Sequence, residues 1–182
     1  MKKIYSLIAM TSLAISMTSC SSDSSSSETP QWAMTGKING TLWQMNNPFN
    51  NNHDSQSIFT YYAPEDYIRL AGRNGGTFGL DEINLMIKRT DLAVGTIPIG
   101  METFDGAHSQ IDANFNSFAN IQDVAEGSIT ITELNTTAKT IKGTFQFKCV
   151  ENFEPISATN PVTATVTDGT FNYKYDTGDP KN

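Results

Sequence analysis

The side chains that could carry out chemistry in this chain of 182 residues are few and far apart. There are two histidines, His53 and His108, and two cysteines, Cys20 and Cys149. Zinc sites normally take two of their ligands from closely spaced positions, and neither histidine has a second ligand of this kind nearby. The sequence therefore predicts no metal site and no cofactor.

Motifs for covalent and phosphate chemistry are also missing from the sequence. A nucleophile elbow needs the pattern Gly-x-Ser-x-Gly, and a phosphate loop needs a glycine-rich turn of standard spacing; the chain has neither. Paired carboxylates of a glycoside hydrolase have no local signature, so this alternative stays open. We predict no catalytic residue and a domain that is not an enzyme.

Aromatic residues gather around one predicted turn between two strands. Phe59, Tyr61, Tyr62 and Tyr67 lie close together in the sequence, and adjacent tyrosines in a strand face opposite sides. An exposed ring could stack on a sugar or contact a protein partner. Loops on a rigid sheet commonly carry binding, so we predict a contact surface at these four residues and at the asparagine-rich loop Met45–Gln56.

The start of the chain has the three-part plan of a secretory signal, with Lys2 and Lys3 ahead of the apolar segment Ile4–Ile15. That segment of about 12 residues is shorter than the roughly 20 that a membrane-spanning helix needs. The following residues, Met17–Cys20, resemble the lipobox of bacterial lipoproteins. The resemblance implies cleavage before Cys20 and acylation of this cysteine, which anchors the protein to a membrane.

A serine-rich segment follows the cysteine and contains no apolar side chain, which predicts a flexible tether. Its acidic residues Asp23 and Glu28 make it similar to the export signal of Bacteroidetes-type lipoproteins. We therefore expect the cell envelope as location, with a lipid anchor in the outer membrane. Which side of this membrane the domain faces stays open, and the similarity to the export signal implies the cell surface. The predicted organisation is a signal peptide at 1–19, the acylated cysteine and tether at 20–30, one all-β domain at 31–176 and a frayed tail at 177–182.

The charge of the chain argues against nucleic acid as a partner. Removal of the leader takes Lys2 and Lys3 from the 12 basic residues and leaves all 19 acidic residues, so the formal charge falls from −7 to −9. Nucleic-acid binding depends on neutralising phosphates with Lys and Arg. The same charge disfavours peripheral docking on anionic lipid.

Alternating apolar and polar residues predict strands throughout the domain. Asn39-Gly40 predicts a hairpin turn with Trp43 in the core, and Pro98 predicts a sheet edge or strand end. The clearest unit is Gly127–Cys149, in which Leu134–Thr140 is predicted to connect two strands and Cys149 to face inward. Asp168-Gly169 is predicted to be another turn.

About nine or ten short strands without an amphipathic helix predict an all-β fold. We favour an antiparallel β-sandwich, with a closed or partly closed antiparallel β-barrel as the alternative. Several turns and strand starts resemble a family of uncharacterised lipoprotein domains from Bacteroidetes. The resemblance implies a cellular location and a fold class, but no catalytic or ligand-binding chemistry. The turns and strand starts that carry it are Trp32, Asn39-Gly40 with Trp43, Gly95-Thr96, Gly127–Thr132, Gly143–Phe145, and Thr167–Gly169 with Phe171.

Three functions agree with this sequence. We favour a non-catalytic binding or interaction module of the cell envelope, with a glycan or an envelope protein as its partner. The first alternative is a glycan hydrolase that uses dispersed Asp and Glu carboxylates. The second is a carrier of an apolar ligand inside a lipocalin-like barrel.

Cys20→Ala should remove the anchor, because the acyl chains attach to this thiol and two or more chains give stable membrane binding. We expect the variant in the soluble fraction, or retained as an unprocessed precursor. Membrane fractionation and gel migration check this outcome. A variant that fractionates and migrates like the wild type would contradict the lipoprotein assignment.

Overall fold

The computed structural model describes residues 32–45, 60–62, 67–73, 81–101, 108–115, 123–138 and 140–174. Cys20, the leader before it and the serine-rich segment after it lie outside these residues. The described residues form ten strands and one 3₁₀ helix (Arg89–Asp91), and no α-helix. In chain order the strands are β1 (Met34–Ile38), β2 (Thr41–Met45), β3 (Thr60–Tyr62), β4 (Tyr67–Arg73), β5 (Glu82–Lys88), β6 (Gly95–Gly100), β7 (Gln110–Asn114), β8 (Asp123–Asn135), β9 (Thr140–Val150) and β10 (Ala164–Lys174).

The strands form two antiparallel sheets. One has six strands in the order β2-β1-β10-β9-β8-β6, and the other has four in the order β3-β4-β5-β7. Buried side chains of both sheets, such as Ile68 and Leu85 from one and Ile129 and Phe147 from the other, belong to one hydrophobic core. The predicted sandwich is confirmed. The barrel alternative is wrong, because each sheet of the described strands ends in two open edges.

The first hairpin forms as the sequence predicts. Asn39 and Gly40 both have positive φ, +49° and +83°, as a type I′ turn requires. Asn39 also extends the pairing of β1 with β10, because its N–H donates to the Thr165 carbonyl (2.9 Å) and its Oδ1 accepts from the Thr165 N–H (2.8 Å). Trp43 on the return strand is buried, as predicted.

Strand β6 forms one edge of the six-stranded sheet and carries Pro98 opposite Ser128. Proline has no backbone N–H, so it suits a strand whose second side has no neighbour to bond. The prediction of an edge position for Pro98 is therefore confirmed.

Strand β9 follows the predicted alternation. Phe145, Phe147 and Cys149 are buried, whereas Thr144 and Gln146 between them are exposed. The Phe145 and Phe147 rings stack with their centroids 6.2 Å apart. Cys149 therefore lies in the core, as predicted.

Two phenylalanine rings lie over glycines of the neighbouring strand. Phe171 of β10 pairs with Gly143 of β9, and Gly169 of β10 pairs with Phe145 of β9. A Cβ atom on Gly143 would come 2.8 Å from the Phe171 Cε1, and one on Gly169 would come 2.6 Å from the Phe145 Cδ2. Each ring occupies the space that a side chain on the opposite residue would need.

The predicted turn at Asp168-Gly169 is wrong, because β10 runs through it as one strand. From Val166 to Gly169, β10 advances three residues while β9 advances two, and Asp168 has a positive φ of +51°. This is a β-bulge, which adds one residue to a strand and shifts its phase. Even-numbered Val166 is buried before the bulge, and odd-numbered Phe171 and Tyr173 are buried after it.

The predicted connection at Leu134–Thr140 is shorter than expected, because β8 continues to Asn135. A second bulge between Ile131 and Glu133 shifts the phase of β8. Leu134 therefore returns to the core side and packs against the buried cluster. Both errors have the same cause, since a bulge changes the alternation without ending the strand.

Gly143→Ala should destabilise the domain, because its new methyl group would overlap the Phe171 ring and the Thr130 carbonyl. Overpacking of this kind costs about 1–3 kcal/mol, and more when the neighbour is backbone. Gly100→Ala is the matched control, since no atom lies within 4 Å of its added Cβ. Urea unfolding measures both, and equal stabilities for the two variants would contradict the packing described here.

Candidate functional site

Of the four aromatic residues in the predicted contact surface, three lie within the described residues, and one of these is buried. Tyr67 is fully buried, its hydroxyl donates to the His108 carbonyl (2.8 Å), and the Lys88 ammonium lies 5.0 Å from its ring centre. The prediction that Tyr67 is an exposed contact residue is wrong, because these contacts enclose its ring. Tyr61 and Tyr62 lie in β3, paired with β4.

Phe59 and the loop after Met45, at 46–56, lie outside the described residues. The contact surface proposed at Phe59, Tyr61 and Tyr62 therefore stays a prediction.

His108 lies exposed beside a surface groove of about 430 Å³ between β6 and the 3₁₀ helix. The neighbouring Ser109 hydroxyl donates to Asp91 Oδ2 (2.7 Å) and accepts from the Lys88 N–H (2.8 Å). This serine thus donates to a carboxylate, whereas a serine nucleophile donates to its base, most often a histidine. His53 lies outside the described residues, and within them no group of three potential metal ligands occurs.

The Cys149 thiol is not poised for reaction. Burial, with a smaller contribution from the charge of Asp123, raises the pKa of Cys149 to about 12. The reactive form of cysteine is the thiolate, so this residue stays protonated and inert at neutral pH.

The outer face of the four-stranded sheet carries a cluster of paired charges. Arg69 Nη2 donates to Glu82 Oε1 (3.0 Å), and Arg73 donates to Glu82 Oε2 through Nε (2.8 Å) and Nη2 (2.6 Å). Asn84 accepts from Arg69 Nε (2.9 Å) and donates to Glu82 Oε1 (3.0 Å) and Asp112 Oδ2 (3.3 Å). The Arg73 and Asn84 residues are buried.

Strand geometry assembles this cluster. Arg69 and Arg73 share one face of β4, opposite to the face on which Ile68 and Leu70 reach the core. Arg73 lies directly opposite Glu82 in the register of β4 and β5. The polar side chains therefore meet on the side of the sheet that faces away from the other sheet.

The cluster brings two carboxyl groups together, since Glu82 and Asp112 both accept from the Asn84 amide nitrogen. Asp112 is exposed as a residue, but desolvation of its carboxyl group still raises its pKa as the largest cause, opposed by the Asn84 hydrogen bond. Both Glu82 oxygens, however, are engaged by Arg69, Arg73 and Asn84. This pairing favours a role for Glu82 in holding the sheet.

A second site lies on the exposed face of the six-stranded sheet, where a hollow of about 440 Å³ crosses β8, β9 and β10. Ile99 and Val166 also border it, with their side chains buried in the core. Its polar lining comes from six residues of the exposed face: Glu126, Ser128, Gln146, Lys148, Thr165 and Thr167. We call this site the sheet hollow.

Two β-bulges flank the sheet hollow. One lies in β8 between Val124 and Glu126, and the other in β10 between Val166 and Gly169. Bulges bend a strand and increase its twist, so the regular strand β9 is set between two bent neighbours. The hollow is thus built on the central strands, which are more rigid than loops.

Two pairs of threonines elsewhere on this exposed face form hydrogen bonds across strands. Thr35 and Thr170 share a hydrogen bond of 2.7 Å, and Thr96 and Thr130 share one of 2.9 Å. In the sheet hollow, the Glu126 and Lys148 side chains also pair, at 2.6 Å.

The remaining polar side chains of the sheet hollow are unpaired. In the described part of the chain, the side chains of Ser128, Gln146, Thr165 and Thr167 have no protein partner. Their donors and acceptors are open to water or to a ligand.

Comparison with known protein families identifies the family of this chain. A family model described as Domain of unknown function (DUF6252) covers residues 31–174. The chain belongs to the DUF6252 family. Comparisons with curated proteins and with solved structures find no match. The resemblance to an uncharacterised family is confirmed at this level, and the lipoprotein type from Bacteroidetes stays a prediction.

Among the residues that the structure describes in this DUF6252 protein, no helix has the length and apolar character needed to cross a membrane.

The sequence did not predict the charge cluster or the sheet hollow. The charge cluster has a signal in the sequence, because Arg69 and Asn84 are polar residues within largely apolar strands. The contact between these two side chains depends on the register of β4 and β5, which the spacing of residues alone does not define.

Glu82→Gln should destabilise this DUF6252 domain by about 2–3 kcal/mol, because it leaves Arg69 and Arg73 without their carboxylate. Breaking a fully buried pair costs roughly 3–5 kcal/mol, and the partial exposure of Arg69 lowers the value here. Glu133→Gln breaks the half-exposed pair with Lys142 and should cost less than about 1 kcal/mol. Equal losses in thermal or urea unfolding would show that the Glu82 cluster is not structural.

Proposed function

We propose that this DUF6252 protein is a lipid-anchored lipoprotein of the cell envelope whose β-sandwich acts by binding. The anchor is the acylated Cys20, which the lipobox-like residues Met17–Cys20 support. The serine-rich tether would hold the domain away from the membrane. A lipid anchor in the outer membrane, as in Bacteroidetes-type lipoproteins, belongs to this proposal.

The sheet hollow is the observation that carries the binding function. Ligand sites are concave, largely apolar and supplied with a few convergent polar groups. The hollow is concave, and four of its polar side chains have no partner in the described part of the chain. Its position on central strands gives the site a fixed shape before any ligand arrives.

The carrier alternative loses its support in the structure. A lipocalin-like carrier holds its ligand inside a closed barrel, whereas the described strands form an open sandwich. Core residues such as Phe115 and Phe147 fill the space between the sheets, with ring centres 6.4 Å apart. A ligand would therefore bind at the surface.

Glycan hydrolysis remains the competing function, because Glu82 and Asp112 lie close together. Retaining glycoside hydrolases use two carboxyl groups about 5–5.5 Å apart, and one of the pair has a raised pKa. Asp112 has the raised pKa. The arginines that hold Glu82 weigh against its use as a nucleophile, and they favour the binding function.

The purified full-length protein should release no product from a panel of envelope and dietary glycans. Reducing-end assays and mass spectrometry of the supernatant measure turnover, and Asp112→Asn is the matched variant. We expect background levels for both proteins, because Glu82 is already occupied by two arginines. Turnover by the wild type that disappears in Asp112→Asn would replace the binding function with hydrolysis.

A further inference from the structure

We infer that the sheet hollow binds a neutral, hydroxyl-rich segment of a saccharide. This inference rests on the proposed binding function and adds the chemical class of the ligand. It depends on three properties of the hollow, namely its charge, its hydrogen-bonding groups and its apolar lining.

The charged groups of the sheet hollow cancel each other. Lys148 Nζ donates to Glu126 Oε1 at 2.6 Å, and the remaining polar lining residues are uncharged. An anionic ligand would have to separate this pair and would approach a chain of net negative charge. A cation would find a carboxylate that already has a partner. Charge complementarity therefore favours a neutral ligand.

The unpaired polar groups of the hollow match hydroxyl groups. The hydroxyls of Ser128, Thr165 and Thr167 and the amide of Gln146 each supply both a donor and an acceptor. A sugar hydroxyl likewise donates and accepts, so it satisfies such groups in either direction. An aliphatic ligand would leave them without partners, which costs binding free energy.

The apolar surface of the hollow suits the C–H faces of a sugar ring. The methyl groups of Thr165 and Thr167 provide it together with the strand backbone. The side chains of the other apolar lining residues, Ile99, Phe147 and Val166, are buried in the core, so no aromatic ring is exposed in the hollow. The volume of about 440 Å³ lies within the roughly 300–1,000 Å³ of small-ligand clefts. The hollow lies open on the sheet face, so a longer saccharide could extend beyond it.

The test uses the full-length protein in micelles of a detergent with a polyoxyethylene headgroup, since sugar-headgroup detergents would compete. The probes are neutral oligosaccharides and matched sulfated or uronic-acid oligosaccharides on an array, followed by titration of those retained. The site variant combines Ser128→Ala and Gln146→Ala, two residues that face each other across β8 and β9. The control combines Thr130→Ala and Thr144→Ala, the next pair along the same face of the same strands.

We expect neutral oligosaccharides to bind and charged ones to be excluded. The site variant should lose affinity by about tenfold or more, because two hydrogen-bonding side chains are removed, and the control should keep wild-type affinity. Urea unfolding of both variants separates lost contacts from lost folding. Absent binding of neutral probes, a preference for charged probes, or equal losses in site variant and control would overturn the inference.

A second measurement separates this inference from the proposed function. A photo-crosslinking residue in place of Thr144, the next exposed residue beside Gln146 on β9, reports in cells what occupies the hollow. A labelled glycan supports the inference. A crosslinked polypeptide overturns the saccharide ligand and leaves the binding function in place, whereas glycan turnover by the wild type overturns the binding function itself.

Discussion

The contact of phenylalanine rings with glycines on the neighbouring strand defines how the central strands pair. Phe171 covers Gly143, and Phe145 covers Gly169, so each ring needs a residue without Cβ directly opposite. A slip of one residue would turn every side chain to the other face of the sheet. A slip of two residues would place each ring against a side chain. One register of β9 and β10 therefore fits the core.

This register has consequences on the outside of the sheet. Val166 and Phe171 both face the core although they are five positions apart, and a regular strand would place them on opposite faces. An extra residue is therefore required, and it forms the bulge at Asp168. The bulge bends β10 beside the regular strand β9, and a similar bulge bends β8 on the other side. The sheet hollow lies between them. Core packing and the shape of the candidate ligand site thus share one cause.

The features that the sequence predicts correctly are those that a few neighbouring residues determine. The Asn39-Gly40 turn, the edge position of Pro98 and the buried phenylalanines of β9 each follow from one residue type or one alternation. The sequence predicts a turn where β10 has its bulge, because a phase change and Asp followed by Gly occur in both structures. The burial of Tyr67 and the charge cluster around Glu82 depend on pairing between strands that are joined by long segments. Such pairing is decided by the whole core, and no short stretch of sequence contains it.

The two polar regions of the domain differ in how they use their hydrogen bonds. Around Glu82, each charged group has a partner within the protein, as a buried cluster requires if it is not to destabilise the fold. On the exposed sheet, the groups of the hollow have none in the described residues. The first arrangement stabilises one structure of the four-stranded sheet. The second leaves hydrogen-bonding capacity for another molecule.

Pro98 has a further consequence for the lipid-anchored protein proposed above. Lipid-anchored domains move in two dimensions at high local density, where open strand edges meet often and could pair into continuous sheets. At the β6 edge, Pro98 offers a carbonyl but no N–H, so an incoming strand would lose a hydrogen bond at the middle of its length. The β6 edge is therefore a poor template for an added strand. In the lipid-anchored protein proposed above, crowding at a membrane would not join neighbouring copies through this edge.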